Sequence, residues 1–520
     1  MLERVDKRFL ILVVVFLAFA LRLATYFIAN NSFGFVPFYD QAVYYSLANS
    51  VLHGQKLYID QIFLHPPSII SLTMPFAALG SIISDVNAAV IQSIFMCLVG
   101  AANTYLIYFL AKKFSSRNCA LFVSLIYAVF PTSVFADQKG IIEPILNCFI
   151  LLGLMFLLKL EFANKLDYKQ KNKYQIILAG FCFGAASSFK IWGGVFTASI
   201  FILFIIYKQY QKSLIFIISA LFSFVVLLAP YFVNNFLSIT NFLQYTLLDQ
   251  AAVTISGVAI WKKVLGFSIL ILWLIIVPNL ARKHIIYSDF VKNFGFCCVS
   301  VFAGLSLGLI LVSRQYWHYW DWFIPYALLF LGGVIYYKLK NSVNSKKFLK
   351  GFSNSIFFGC LMILSLSLII INFYYSFYPP EASNVSQPFK VSYIKSPDGP
   401  SALNKYISQK MNVASDKTNK CIYSYADVLL IGNFVTENYQ NNCLIQADVY
   451  GEFIKDNPTK LSDDMYIELP KYAFESKASF VLVPANLSLY FMKDAVFLSS
   501  YTRNTVINNI DIWQKSNISL

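Results

Sequence analysis

Long apolar runs recur along the first three-quarters of the chain, and each is close to the length of a helix that crosses a lipid bilayer. Such a helix needs roughly 20 consecutive apolar residues. Suitable runs lie near residues 9–28, 88–111, 118–136, 141–160, 174–189, 193–207, 213–233, 264–280, 293–312, 320–337 and 354–374. The pattern predicts an all-α polytopic membrane protein with about 11 transmembrane helices, the first of them an uncleaved helix.

One further apolar run, residues 66–83, is short and contains three prolines. If it does not cross and the N-terminus is cytoplasmic, 21 of the 28 Lys and Arg residues in 1–374 fall in cytoplasmic segments. This distribution agrees with the positive-inside rule, whereas a crossing at 66–83 would move the later basic loops outside. We therefore predict a juxtamembrane or re-entrant segment here, within a first outer loop that spans residues 29–87.

The chain changes character after residue 374, where a polar stretch rich in Asn, Asp and Lys begins. Residues 421–425 and 479–483 have the composition of short β-strands bounded by turns. We predict a transmembrane module over residues 1–374 and a small extracytoplasmic α/β domain over 375–520. Cys421 and Cys443 lie in this domain and either pair in an oxidising compartment or remain two unpaired thiols.

The composition excludes a soluble enzyme, a disordered protein and a fibrous protein, because 58% of the residues are hydrophobic and 13% are charged. A soluble globular protein has about half apolar and a quarter charged residues. The net charge of +15 does not indicate nucleic-acid binding, since residues 1–374 carry +16 and the remainder −1. The basic excess therefore marks cytoplasmic loops.

Under this topology, polar and ionisable residues gather near the outer membrane surface. Charged groups at membrane depth are costly, so each is a candidate functional residue with a partner. The candidates are Arg22, Asp40, Tyr44, His65, Asp137, Gln138, Glu143, Lys190, Arg314 and His318.

Four patches along residues 22–330 resemble the GT-C glycosyltransferases, the polytopic enzymes that use polyprenyl-phosphate sugars. These include protein O-mannosyltransferases and lipid A aminoarabinose transferases. The patches are Asp40-Gln41-Ala42-Val43-Tyr44 with His65-Pro66-Pro67, Pro131 with Ile141-Ile142-Glu143-Pro144, Gly180 and Gly184 with Ser188-Phe189-Lys190, and Arg314 to Tyr319 with Pro325. The resemblance implies a GT-C-like fold and transfer of a sugar to an acceptor hydroxyl.

Such a transfer requires a base for the acceptor hydroxyl, and Asp40 is the candidate. The alternative is that Asp40 only caps a helix that begins near Gln41. Glu143 is the second catalytic candidate, which orients a cation or the acceptor. Alternatively, it is a helix N-terminal charge favoured by the helix dipole.

Cations are needed to bind the leaving phosphate by charge-assisted hydrogen bonds. The candidates are Lys190, Arg314, His65 and Arg22, and the substrate-binding candidates are Tyr44, Asp137, Gln138 and His318. As alternatives, Lys190 snorkels to the interface, and the two histidines are ordinary interfacial residues. Arg22 either snorkels outward or pairs with Asp40 or the lipid phosphate.

Two further features concern the substrate site. The family usually has a second acidic residue beside the candidate base, and in this chain that position is Gln41. We therefore predict that no metal ion is obligatory, and binding of a divalent ion remains the open alternative. The aromatic cluster from Tyr316 to Trp322 is typical of a water–lipid boundary. The alternative is that it lines the sugar site.

The sequence thus predicts an inverting hexosyl- or pentosyltransferase in a bacterial inner membrane. Its partners would be a polyprenyl-phosphate sugar donor and a lipid, glycan or protein acceptor. The alternatives are a lipid or solute transporter, which also buries charges among helices, and a non-catalytic assembly protein of envelope glycan synthesis.

The predicted topology has a direct test in cysteine labelling. Cysteines introduced at positions 40, 138 and 400 should react with an impermeant thiol reagent added outside intact cells, and those at 115 and 345 should not. Reaction of position 115 from outside would mean that residues 66–83 cross the membrane.

Overall fold

The computed structural model describes most of the helical part of the chain and shorter pieces of the C-terminal part. The described residues are 7–29, 39–159, 170–233, 236–250, 258–283, 290–313, 317–341, 367–371, 421–424, 443–446, 470–471, 473–474, 478, 480–484, 488–507 and 510–516. The chain forms two compact units. The first comprises Met1–Ala29, Ile94–Pro230 and Val258–Pro379, and the second comprises Asn30–Ser93, Tyr231–Gly257 and Pro380–Leu520.

The helices begin and end close to the predicted apolar runs. They are α1 (Lys7–Ala29), α2 (Tyr39–Leu52), α3 (Ser68–Ile83), α4 (Asp85–Phe114), α5 (Arg117–Val129), α6 (Pro131–Ala136), α7 (Ile142–Leu157), α8 (Gln170–Phe189), α9 (Ile191–Ile206), α10 (Tyr210–Phe232), α11 (Phe236–Leu243), α12 (Ile260–Lys283), α13 (Phe290–Val312) and α14 (Trp320–Asn341). A π-helix, Gln244–Asp249, follows α11, and a 3₁₀ turn, Trp317–Tyr319, precedes α14.

Four of the described helices are long and apolar enough to cross a membrane: Phe9–Ile28, Asn87–Phe114, Tyr210–Phe232 and Phe294–Val312. The prediction of a mostly helical membrane protein is confirmed, whereas the count of eleven crossings stays a prediction. The run 354–374 lies outside the described residues except for 367–371, which are helical. Residues 68–83 form one helix, α3, in spite of Pro75, and whether it crosses also stays a prediction.

The predicted run 118–136 is not one helix, because the chain breaks at Phe130. Phe130 has an extended backbone with φ −70° and ψ 122°, and α6 begins at the following Pro131. Proline disfavours a helical conformation in the residue before it and lacks the N–H that would continue the ladder. The break separates α5 from the short helix α6, which ends just before Asp137.

Close helix packing in the first unit depends on two glycines of α8. A Cβ atom on Gly180 would press on the carbonyl oxygen of Phe216, and one on Gly184 would overlap the carbonyl oxygen of Ala220. Both acceptors lie on α10, so glycines four residues apart allow the two backbones to touch. The sequence patch that carries these glycines is therefore a packing surface in the fold.

The helical part of the second unit is joined by buried polar bonds. The Tyr45 hydroxyl of α2 donates to Asp85 Oδ1 at 3.0 Å, and Gln92 Nε2 donates to Thr73 Oγ1 at 3.1 Å. All four residues are buried. Hydrogen bonds of this kind between buried groups fix one packing arrangement, because leaving either partner unpaired costs free energy.

The C-terminal part of the chain contains a five-stranded sheet, which confirms the predicted small sheet and the two predicted strands. The strands are β1 (Cys421–Ser424), β2 (Cys443–Gln446), β3 (Phe480–Pro484), β4 (Tyr501–Ile507) and β5 (Ile510–Lys515). Their order is β2-β1-β3-β5-β4; β1 runs parallel to β2 and β3, and β5 runs antiparallel to β3 and β4. The register pairs Cys421 with Cys443 on neighbouring strands, and a bond between them stays a prediction.

The close contact between α8 and α10 predicts that replacing glycine with alanine lowers the free energy of unfolding at a glycine in this contact but not at a glycine outside it. Gly184→Ala should lower the free energy of unfolding by about 1–3 kcal/mol, because the new methyl group overlaps a backbone carbonyl. Gly194→Ala on α9 should leave it unchanged or raise it by up to about 1 kcal/mol, since a Cβ there lies 4.0 Å from its nearest neighbour. Thermal unfolding in detergent measures both, and equal midpoints would refute the packing argument.

Candidate active site

Arg22 and Asp137 form an ion pair inside the first unit. Arg22 Nη2 lies 2.6 Å from Asp137 Oδ2, Nε donates to the same oxygen at 2.8 Å, and both side chains are 0% exposed. Arg22 Nη1 also donates to the carbonyl oxygens of Ala18 and Ala128, each at 3.0 Å. The guanidinium therefore has anionic and carbonyl acceptors on three sides, as a buried cation requires.

The surroundings of this pair leave no room for a larger neighbour. A Cβ atom on Gly100 of α4 would overlap both Arg22 and Asp137. The Tyr127 hydroxyl donates to Asp137 Oδ2 at 3.4 Å, and its ring centre lies 5.6 Å from the guanidinium carbon. The pair thus connects α1, α4 and α5 with the residue that follows α6.

The structure brings together three candidates to which the sequence assigned separate substrate contacts: Arg22, Asp137 and Gln138. Gln138 Oε1 accepts a hydrogen bond from Thr25 of α1 at 3.4 Å. Arg22 has an internal partner that the sequence did not suggest, and its role toward the donor phosphate stays a prediction. Because Gln138 is 2% exposed, the half-buried Lys139 is the better position for a labelling cysteine.

Lys190 and Glu143 form a second ion pair in the same unit. Lys190 has an extended backbone between α8 and α9, with φ −152° and ψ 134°, and Glu143 lies in the first turn of α7. Lys190 Nζ lies 2.9 Å from Glu143 Oε1, and the two side chains are 5% and 3% exposed. Lys190 is therefore paired inside the protein and does not snorkel to the membrane surface.

Three aromatic rings surround the same ammonium group. Lys190 Nζ lies 4.4 Å from the ring centre of Tyr319, 4.5 Å from that of Trp322 and 5.4 Å from that of Trp192. The expectation that the cluster forms a water–lipid belt is wrong for Tyr319 and Trp322, which are 7% and 0% exposed. Contact with a cation offers these rings a stabilising place inside the bundle.

His318 lies at the edge of this cluster, in the 3₁₀ turn before α14. Its Nε2 atom is 4.0 Å from Glu143 Oε1. Burial lowers the pKa of the His318 imidazole to about 4, although Glu143 opposes the shift. The imidazole is neutral at pH 7, so Lys190 supplies the positive charge beside Glu143.

The sequence analysis missed Asp321, which is fully buried in the first turn of α14. Asn147 Nδ2 donates to Asp321 Oδ2 at 3.1 Å and to the Asp321 carbonyl oxygen at 2.9 Å. The Tyr326 hydroxyl donates to Asn147 Oδ1 at 3.1 Å. The one available signal was an acidic residue at the start of an apolar helix, hidden among aromatic neighbours.

The second unit carries Asp40, which is half-buried in the first turn of α2. The described helix has Asp40 in its first turn, and the role of Asp40 as base or as a stabiliser of the helix end stays a prediction. Its neighbour Gln41 donates to the Ala89 carbonyl oxygen at 3.3 Å and to Ser93 Oγ at 3.1 Å. The Gln41 amide is thus engaged within the protein, where the family usually has a second acid.

Tyr44 and His65 also meet in the second unit, where their ring centres are 6.5 Å apart. Tyr58 fixes the loop between them by donating from its hydroxyl to the His65 carbonyl oxygen at 2.7 Å. The Tyr58 carbonyl oxygen accepts from Asn241 Nδ2 at 2.6 Å, and Leu57 O accepts from Ser238 Oγ at 3.2 Å. These bonds hold Tyr58 at φ +69°, a conformation that costs free energy in a residue other than glycine.

Arg314 lies outside the described residues. Among the described ones, no three His, Cys, Asp or Glu side chains are grouped as ligands for a metal ion. Among the described candidates, the structure brings together Arg22, Asp137 and Gln138, then Lys190, Glu143 and His318, and in the second unit Tyr44 and His65.

Comparison with known proteins supports one fold. A family model described as dolichyl-phosphate-mannose-protein mannosyltransferase matches residues 11–252. The crystal structure of ArnT from Cupriavidus metallidurans bound to undecaprenyl phosphate is similar with a TM-score of 0.55 and 12% identity, over 97% of this chain and 99% of that one. The predicted resemblance is confirmed. The chain has a GT-C glycosyltransferase fold.

A second GT-C structure agrees with this assignment. The archaeal oligosaccharyltransferase AglB from Archaeoglobus fulgidus, in complex with an inhibitory peptide and a dolichol-phosphate, has a TM-score of 0.53 and 10% identity. The match covers 100% of this chain and 75% of that one. No curated protein matches the chain in sequence, so the GT-C likeness rests on the family model and the fold.

The Arg22–Asp137 pair predicts a large loss of stability when one partner is removed. Asp137→Asn leaves a buried guanidinium without its counter-charge, and the free energy of unfolding should fall by about 3–5 kcal/mol. Replacing both residues, Arg22→Met with Asp137→Leu, should recover most of that loss, because the pair is exchanged for apolar packing. Chemical denaturation in mixed micelles measures the differences; a stable Asp137→Asn variant would contradict the pairing.

Proposed function

We propose that the chain transfers a hexosyl or pentosyl group from a polyprenyl-phosphate donor to an acceptor hydroxyl on the extracytoplasmic side of the membrane. The supporting observation is the match along 97% of the chain to a structure that holds undecaprenyl phosphate, together with two buried cations in the helical unit. A long isoprenoid tail would lie against an apolar helical bundle, and its anionic head requires cations. The family model for a dolichyl-phosphate-dependent transferase favours the same donor class.

Asp40 is the proposed base for the acceptor hydroxyl. It lies half-buried in the first turn of a helix whose next residues are buried, and we assign its carboxylate to the incoming acceptor. One displacement, with the acceptor oxygen attacking as the phosphate departs, inverts the anomeric centre through an oxocarbenium-like transition state. A base for the departing proton is the main chemical requirement of that step.

The leaving phosphate gains negative charge as the bond breaks, and cations stabilise it most in the transition state. We assign this work to Lys190, Arg314, His65 and Arg22, and substrate binding to Tyr44, Asp137, Gln138 and His318. Glu143 would orient the acceptor. No metal ion is required by this scheme, because fixed cations take the position that a divalent ion would otherwise fill.

The same proposal places the chain in a bacterial inner membrane, with a cytoplasmic N-terminus and an extracytoplasmic C-terminal domain. The distribution of basic residues supports this orientation. The acceptor is a lipid, a glycan or a protein, since each offers a hydroxyl of the same chemistry.

The experiment offers purified protein a panel of sugars, each on polyprenyl phosphate and on a nucleotide, with mass spectrometry of the products. Turnover is expected with the lipid-linked donor, and Asp40→Asn should lower it by roughly two to four orders of magnitude, the usual contribution of a positioned base. Asp60→Asn is the matched control, because Asp60 is exposed and accepts a local bond from the Lys56 backbone N–H at 2.7 Å.

Turnover of the nucleotide donor alone would refute the lipid-donor proposal. Near-normal turnover by Asp40→Asn would instead move the base role to Glu143.

A further inference from the structure

Arg22 and Lys190, two buried cations of the first unit, are held in different ways. Arg22 Nε and Nη2 both donate to one carboxylate oxygen, Asp137 Oδ2, and Nη1 donates to two backbone carbonyl oxygens. In the described part of the chain, Lys190 has one hydrogen-bond acceptor, Glu143 Oε1 at 2.9 Å. An ammonium group has three N–H donors. Glu143 accepts one of them, and aromatic rings, which are weaker acceptors than oxygen atoms, surround the rest.

The rings hold the ammonium independently of Glu143. Trp192 belongs to α9, and Tyr319 and Trp322 belong to the segment that enters α14, whereas Glu143 belongs to α7. Trp322 packs on Trp192 with ring centres 4.2 Å apart and lies parallel to Tyr319 with an interplanar angle of 7°. Because cation–π attraction to these rings does not involve the carboxylate, the ammonium keeps its place when the carboxylate leaves.

Glu143 occupies the position that an external oxyanion would take. Its distance of 2.9 Å from Lys190 Nζ is that of a charge-assisted bond to any carboxylate or phosphate oxygen. The side chains of Lys190 and Glu143 are 5% and 3% exposed, slightly more than those of Arg22 and Asp137, which are both 0% exposed. An exchange of anions at Lys190 keeps the buried cation neutralised throughout, so it avoids the cost of an unpaired charge.

We propose that Glu143 is an internal competitor at Lys190: the phosphate of the donor displaces its carboxylate, which is thereby released to accept a hydrogen bond from the acceptor hydroxyl. This inference rests on the proposed function, since it needs an anionic lipid head as ligand. Binding of the donor would then free Glu143 to bind the acceptor. A carboxylate that has lost its cation also attracts a proton more strongly, which suits contact with a hydroxyl.

The test measures two quantities that should move in opposite directions in Glu143→Gln. Binding of undecaprenyl phosphate, which needs no knowledge of the sugar, should tighten roughly tenfold, because a neutral amide competes less than a carboxylate. Turnover with the lipid-linked donor should fall, because the released acceptor contact is lost. Glu143→Asp, with a shorter side chain, should show the same two changes to a smaller degree.

Two controls separate exchange from a general effect of removing charge. Adding Lys190→Met to Glu143→Gln should abolish the gain in lipid binding. Asp60→Asn removes the charge of an exposed carboxylate that accepts a local backbone hydrogen bond, and it should give no gain. Thermal unfolding in the same detergent shows which variants are folded.

Unchanged or weaker lipid binding by folded Glu143→Gln and Glu143→Asp overturns the exchange while the proposed function stands. A gain that survives Lys190→Met, or that Asp60→Asn reproduces, overturns it as well. Failure of the unaltered protein to bind undecaprenyl phosphate or to use a lipid-linked donor refutes the proposed function itself.

Discussion

A cation sealed from water needs its counter-charge in one place, and Arg22 imposes this constraint on the helical unit. Its acceptors come from α1, from the end of α5 and from Asp137 after α6. Removing the guanidinium from water costs free energy, and only short contacts with its acceptors offset that cost. These segments must therefore lie next to Arg22. Gly100 of α4 completes the arrangement, because any side chain there would enter the pair.

The break at Phe130 serves the same constraint. If 118–136 were one continuous helix, Asp137 would follow on the same axis as α5. The turn at Pro131 instead separates α5 from α6. The Ala128 carbonyl oxygen lies just before this turn and is free to accept from Arg22. Covalent geometry at one proline and electrostatics at one arginine thus determine the same local structure.

The helices were predictable because burial in lipid demands long apolar runs, and the strands that begin at Cys421 and Phe480 because turn residues bound short segments of strand-like composition. Partners were not predictable. Arg22 and Asp137 are 115 residues apart in sequence, and nothing in either segment indicates the other. The burial of Trp322 and Tyr319 was equally hidden, since aromatic residues near a membrane surface have the same composition whether they face lipid or enclose an ammonium group. Asp321 was overlooked for that reason.

The Tyr58 anchor has a consequence for biosynthesis. Its carbonyl oxygen is bound by Asn241, which lies 183 residues later in the chain. Contacts of such high sequence separation form late, so during translation the loop that ends at His65 must wait until the ribosome has made α11. The nascent chain therefore carries the loop that ends at His65 in an unfinished conformation while the intervening helices are made. An arrest of synthesis before residue 241 would leave that loop without its support.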